Sequence, residues 1–164
     1  MKITAMQEYG LRCILQLAAR KPSTSHMTVR EIAKQEHLTP VYVAKILVTL
    51  RRGGLVKSIR GVNGGYALSR PPREISAARV LAVLGKVDLG KNLCKRFPGM
   101  SSHCTHSGDC RIRPLWYVLT QYIYNFLDRL TLDQLIQEEA GVSREIRRLQ
   151  NQNPLPAPKT PALV

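Results

Sequence analysis

Three of the chain's four cysteines, Cys94, Cys104 and Cys110, fall within LCKRFPGMSSHCTHSGDC, residues 93–110. Thiols gathered like this can pair as disulfides, ligate zinc, form a redox pair with a spare, or ligate iron. Soft thiolates suit iron–sulfur clusters and zinc alike, so donor chemistry leaves both open. Structural zinc sites usually take cysteine pairs about two to four residues apart. Here nine residues separate Cys94 from Cys104, and five separate Cys104 from Cys110. His103 and His106 keep a three-cysteine, one-histidine zinc site as the alternative. Lys91, Lys95, Arg96, Arg111 and Arg113 surround the stretch. They would offset the negative charge of a thiolate-ligated cluster, or simply extend a basic surface.

The compartment bears on which chemistry applies. The start, MKITAMQEYG, lacks the basic-then-apolar run of a secretory signal, and no apolar stretch is long enough to span a bilayer. A cytoplasmic chain is expected, where thiols stay reduced and disulfides are disfavoured. Its 25 Lys and Arg against 11 Asp and Glu give a formal charge of +14. Such an excess points to a polyanionic partner, nucleic acid before membrane. No general acid–base pair and no hydrolase-type nucleophile motif is evident, so an enzyme is not expected.

The elements that must carry these residues can be read in order. Met6, Tyr9, Gly10, Cys13, Ile14, Leu17 and Ala18 recur at helical spacing and predict a helix over 4–20. Cys13 lies on that stripe and reads as a small core residue; Glu8 falls off it. TVRE is a capping box, Thr28 with Glu31, opening a second helix that ends near Gln35. Thr39 and Pro40 cap a third, PVYVAKILVTLRR, which buries Val43, Leu47 and Leu50 and stops at Gly53–Gly54. Two short helices across a tight turn make a helix-turn-helix. LVKSIR-GVNGG-YALSR alternates about a glycine-rich tip and predicts a β-hairpin, a wing. Ser76 caps a fourth helix.

Pro114 opens a long helix carrying Leu115, Val118, Leu119, Tyr122, Ile123, Phe126 and Leu130. Trp116, Tyr117, Tyr124 and Leu127 leave it no polar back, so burial from two sides is expected. The winged unit can cover one side and a second copy of the chain the other. TLDQ caps a helix at 132–140, GVSREIRRLQNQ forms another, and a proline-rich disordered tail follows. The fold class is therefore mostly α with a small β-hairpin wing. Its expected parts are a winged helix-turn-helix domain, 1–86, a cysteine-containing loop, 87–113, dimerisation and C-terminal helices, 114–150, and the tail, 151–164.

In a helix-turn-helix the start of the second helix meets base edges. Thr39, Tyr42 and Lys45 stand there, while Arg51 and Arg52 at the far end are placed for phosphates. Arg60 at the wing tip can enter a narrow minor groove, with Gly64 and Gly65 allowing close approach to the sugar–phosphate wall.

The segments MKITAMQEYGLRCILQLA and TVREIAKQEHLTPVYVAKILVTLRRGGLVKSIRGVNGGYALSR, with the cysteine trio before a long helix, resemble the Rrf-two (Rrf2) family of bacterial winged-helix transcription factors. The resemblance covers roughly residues 1–140 and is most specific at TPVYVAKIL and RGVNGGYALSR. Its known branches include the iron–sulfur cluster regulator, the nitric-oxide-sensing repressor and the rhizobial iron regulator. It implies a homodimer crossed through the long helix, binding a pseudo-palindromic operator in double-stranded DNA as a repressor. It also implies an iron–sulfur cluster, 4Fe–4S favoured and 2Fe–2S possible, that senses redox state, iron or nitric oxide. The implied ligands are Cys94, Cys104 and Cys110. The five-residue gap matches the family's pattern; the first gap is longer. One branch completes its site with a histidine three residues after the last cysteine, where this chain has Arg113, which cannot ligate iron. Another uses an acidic residue in the partner's first helix, and Glu8 occupies the matching position. Two readings compete with this one. A DNA-binding regulator with a zinc or thiol switch keeps the fold, and a thiol or metal enzyme abandons it.

Overall fold

The computed structural model describes residues 3–20, 26–61, 64–85, 97–101, 103–106 and 108–152. Helix α1, Ala5–Ala18, starts at Thr4, whose side chain accepts from the Gln7 backbone while the Gln7 side chain reaches back to Thr4. Its stripe of Gly10, Cys13, Ile14, Leu17 and Ala18 is buried as expected. Helix α2, Val29–Glu36, opens on the Thr28–Glu31 capping box and ends at His37 in the left-handed region, φ 54°. Helix α3, Pro40–Arg52, has Thr39 as its cap and buries Val43, Ile46, Leu47 and Leu50. The helix-turn-helix and both of its caps are thus as the sequence predicts.

Strands β2, Val56–Ile59, and β3, Gly65–Leu68, form the antiparallel wing. A third strand, β1 (His26–Met27), was not expected; it pairs with β3, giving the sheet order β1-β3-β2. A short 3₁₀ turn, Pro72–Glu74, leads to helix α4, Ala77–Leu84, capped by Ser76. Helices α1, α3 and α4 and the sheet close one core around Ile14, Met27, Ile32, Val43, Ile46, Leu47, Leu50 and Val80.

Helix α5, Arg113–Asp128, is the long helix, beginning one residue earlier than expected. None of its residues is buried. Leu115, Tyr117, Val118 and Leu119 are all well exposed, Leu115 at 55%. Its C-terminal end is held: Phe126 and Leu127 pack with Ala77, Leu130, Leu149 and Ile146. The helix expected at 132–140 is instead a single turn, α6 (Leu132–Leu135); α7, Glu139–Gln152, begins after a break. α7 carries Asn151 and Gln152 inside a helix, two residues into the expected tail; 153–164 lie outside the described residues. No described helix is long and apolar enough to cross a membrane.

Candidate nucleic-acid interface and cysteine site

The N-terminal end of α3 is fixed by its cap: the Tyr42 N–H donates to Thr39 Oγ1 at 3.3 Å. With the first turn pinned, Lys45 and Val41 project into solvent, Val41 at 82% exposure. Val41 is a residue the sequence reading missed. It lies off the Val43–Leu47–Leu50 stripe, and that phase alone marks it as an outward apolar group in the first turn of the helix. An outward methyl group there suits contact with a thymine methyl. Tyr42 is less free: its ring stands edge-on to Tyr9, centroids 6.0 Å apart and planes at 84°. Arg51 and Arg52 are exposed in the last turn, where the helix dipole also favours cations.

Arg60 is exposed beside Gly61, whose φ of 117° few side chains tolerate. Across the tip, the Gly64 N–H donates to the Gly61 carbonyl at 2.9 Å. A Cβ on Gly64 would strike the Ile59 carbonyl, and one on Gly65 the Met27 carbonyl of β1. The wing's own closure and the third strand therefore demand both glycines, whatever else they touch.

Cys104 and Cys110 are free, half-buried thiols in the turns that lead into α5. Cys94, with Lys91, Lys95 and Arg96, lies outside the described residues. The Cys110 carbonyl accepts the Arg113 N–H at 3.2 Å, and the Arg113 guanidinium donates to the His106 carbonyl at 3.4 Å. Arg113 thus braces the turn against the start of α5. Among the described residues, no three His, Cys, Asp or Glu side chains gather as a metal site. Neither His103 nor His106 therefore joins Cys104 and Cys110 as a third donor within one chain.

Glu8 is exposed, as its place off the stripe predicts, and is held by Arg12: Oε1 accepts from Nη2 at 2.8 Å and Nε at 2.9 Å. That carboxylate raises the Arg12 pKa. The Arg12 guanidinium lies 5.6 Å over the Tyr9 ring, and Tyr9 in turn meets Tyr42. A line of contacts therefore runs from Glu8 through Arg12 and Tyr9 to Tyr42 of α3.

The neighbouring Gln7 is buried and was also missed, although TAMQ is itself a capping-box pattern. Its Nε2 donates to the Gly85 carbonyl at 2.6 Å. A Cβ on Gly10 would collide with Leu84. Helix α1 thereby grips the end of α4 where the chain departs for the Cys94 segment. Cys13 is fully buried, as expected of a core residue. Burial first, and the Glu36 charge second, push its thiol up to about 12.

The family model Rrf2, described as an iron-dependent transcriptional regulator, matches residues 3–138. The helix-turn-helix transcriptional regulator IscR of Cereibacter sphaeroides is 30% identical over 141 residues, covering 85% of this chain and 89% of that protein. Among solved structures, CymR, the global cysteine regulator of B. subtilis, superposes with a TM-score of 0.65 at 28% identity, covering 83% of this chain and 96% of CymR. IscR of T. potens shares the fold with a TM-score of 0.62 at 24% identity, covering 92% of this chain and 91% of its own.

Proposed function

Because the chain belongs to the Rrf2 family of helix-turn-helix transcriptional regulators, we propose that it is a homodimeric repressor governed by an iron–sulfur cluster on Cys94, Cys104 and Cys110. DNA binding and transcriptional regulation come with the family, and the chain is not an enzyme. The sensing step is the part proposed. The observation that carries it is the donor set. Three soft thiols share one segment, and the two described are free and half-buried at the root of α5. Such donors fit a cluster, and the cations Arg111 and Arg113 beside them offset its charge. A bound cluster would supply an iron that nitric oxide, oxidants or iron shortage can alter.

Glu8 of the partner subunit is the proposed fourth ligand. Both Arg12 contacts fall on Glu8 Oε1, so Oε2 is the oxygen left to ligate; ligation would draw charge away from the Arg12 pair, and Arg12 rests on Tyr9, which touches Tyr42. Ligation would in this way be felt at the reading helix through adjoining side chains, a coupling that mutation of Arg12 or Tyr9 would weaken. At the DNA, Thr39, Tyr42 and Lys45 are the proposed base readers, joined by Val41. Arg51 and Arg52 meet phosphates, and Arg60 with Gly64 and Gly65 approaches the minor groove. Residues 1–86 form the reading unit, 87–113 the sensing loop and 114–150 the dimer-forming part.

Anaerobic purification tests the sensing step directly. A brown protein with broad visible absorption and matching iron and sulfide content supports it. Colourless, zinc-bearing protein sinks it in favour of a zinc or thiol switch.

A further inference from the structure

A cleft of about 450 Å³ opens at the base of the wing, lined by none of the described residues of the cysteine segment, and neither base reading nor cluster binding accounts for it. That volume lies within the usual range for small-molecule sites, about 300–1,000 Å³. Arg70, Arg73 and Arg79 line it together with Ser76 and Asp128. Glu74 is the other carboxylate on its wall. Three arginines and two carboxylates, all exposed, thus share the lining. Among the described residues none of the three arginines forms an ion pair, and Asp128 already accepts the Ser76 hydroxyl at 2.7 Å. Like charges sharing one wall repel, and an oxyanion that takes paired N–H groups from a guanidinium relieves this.

Its place sets it apart from the end of α3 proposed to read bases. Gly54 and Leu55 form one side, just past Arg51 and Arg52 at the C-terminal end of α3, so a DNA phosphate is the competing occupant that the salt-dependence test must separate. The Ser69 N–H donates to the Leu55 carbonyl at 3.0 Å, closing the hairpin's base there. The tip that reaches for DNA lies a four-residue strand away, roughly 13 Å at the usual strand rise. The far wall is Asp128 and Thr131, at the end of α5. An occupant would therefore touch both the reading unit and the long helix.

We propose that this cleft binds a small oxyanion, a polycarboxylate or a phosphate, held by Arg70, Arg73 and Arg79. Calorimetric titration of the full-length protein at constant ionic strength tests it, with inorganic phosphate and tricarballylate as probes and chloride as the background. At least one probe should bind saturably, one per chain; the tighter of the two names the source chemistry. Arg73→Gln and Arg79→Gln should each weaken it about fivefold or more, as expected for loss of a charge-assisted contact. Arg144→Gln, exposed on α7 outside the cleft, should leave it unchanged, as should Cys104→Ala. The idea is overturned if neither probe saturates, or if Arg144→Gln costs as much as the cleft variants. It also falls if Arg73→Gln or Arg79→Gln flattens the salt dependence of binding to non-operator duplex, since these arginines would then lie on DNA phosphates.

Discussion

The three described cysteines meet two different environments, and their chemistry divides accordingly. Cys13 has no solvent exposure and a thiol pushed up to about 12, whereas Cys104 and Cys110 are half-buried and free. Cys94→Ala, Cys104→Ala and Cys110→Ala should each bleach or destabilise the visible chromophore, while Cys13→Ala leaves it intact; absorption spectra of the anaerobic variants check this. The raised pKa has a further consequence. A thiol protonated more tightly in the fold than in the open chain stabilises fully below its ordinary value of 9.0. That contribution fades as pH rises from there towards about 12. Thermal unfolding of wild type should lose stability over that window more steeply than Cys13→Ala. For Glu8 the decisive material is a mixed dimer of a Glu8→Ala chain with one lacking the three loop cysteines. Cross-subunit ligation keeps its single cluster as durable as wild type, while lability equal to the Glu8→Ala homodimer rules that ligation out. Burial was legible where a single phase decides it, as for buried Cys13 and exposed Glu8. The tie of Glu8 to Arg12 and of Gln7 to Gly85 was less so, the latter because its partner is 78 residues away.

Helices announced themselves through their ends. Thr28 with Glu31, Thr39 with Pro40, and Ser76 each placed a boundary that the structure keeps. Strand β1 could not be seen, since two residues show no alternation and its pairing depends on the register of β3. The split of 132–140 escaped for a similar reason: Leu132 inserts into the core, and its N–H donates to the Ile75 carbonyl at 2.9 Å, anchoring one turn separately from α7. The cleft was illegible because its walls are joined only by folding. At this scale α3 yields a two-part prediction. Val41→Ser, Tyr42→Ala or Lys45→Ala should relax sequence preference, because base edges specify. Arg51→Gln or Arg52→Gln should weaken operator and scrambled DNA alike and lower the salt slope by about one each, because phosphates only position. Titrations on matched and scrambled duplexes at several salt concentrations separate the two. The α1–α4 contact yields another. Gly10→Ala must displace Leu84, and overpacking of this kind typically costs about 1–3 kcal/mol, readable by denaturant unfolding.

Taken as one protomer, the molecule leaves the N-terminal half of its long apolar helix uncovered. Leu115, Val118 and Leu119 on α5 are 55%, 48% and 40% exposed. Water-facing apolar surface of that extent suits a second copy, the partner that the proposed pseudo-palindromic operator would also require. Leu119→Glu should shift sedimentation from dimer to monomer and abolish operator binding, with the circular dichroism of the winged unit retained. A stable dimer of the variant would remove α5 from the interface.

The same bare helix has a consequence for gene dosage. If a working repressor needs two chains, then below the dimer's dissociation constant its amount follows the square of the chain's concentration. Halving synthesis in that regime leaves about a quarter of the repressing species. A cell that dilutes this protein by growth would therefore release its target promoter more abruptly than a monomeric regulator could, before any signal reaches the cysteines.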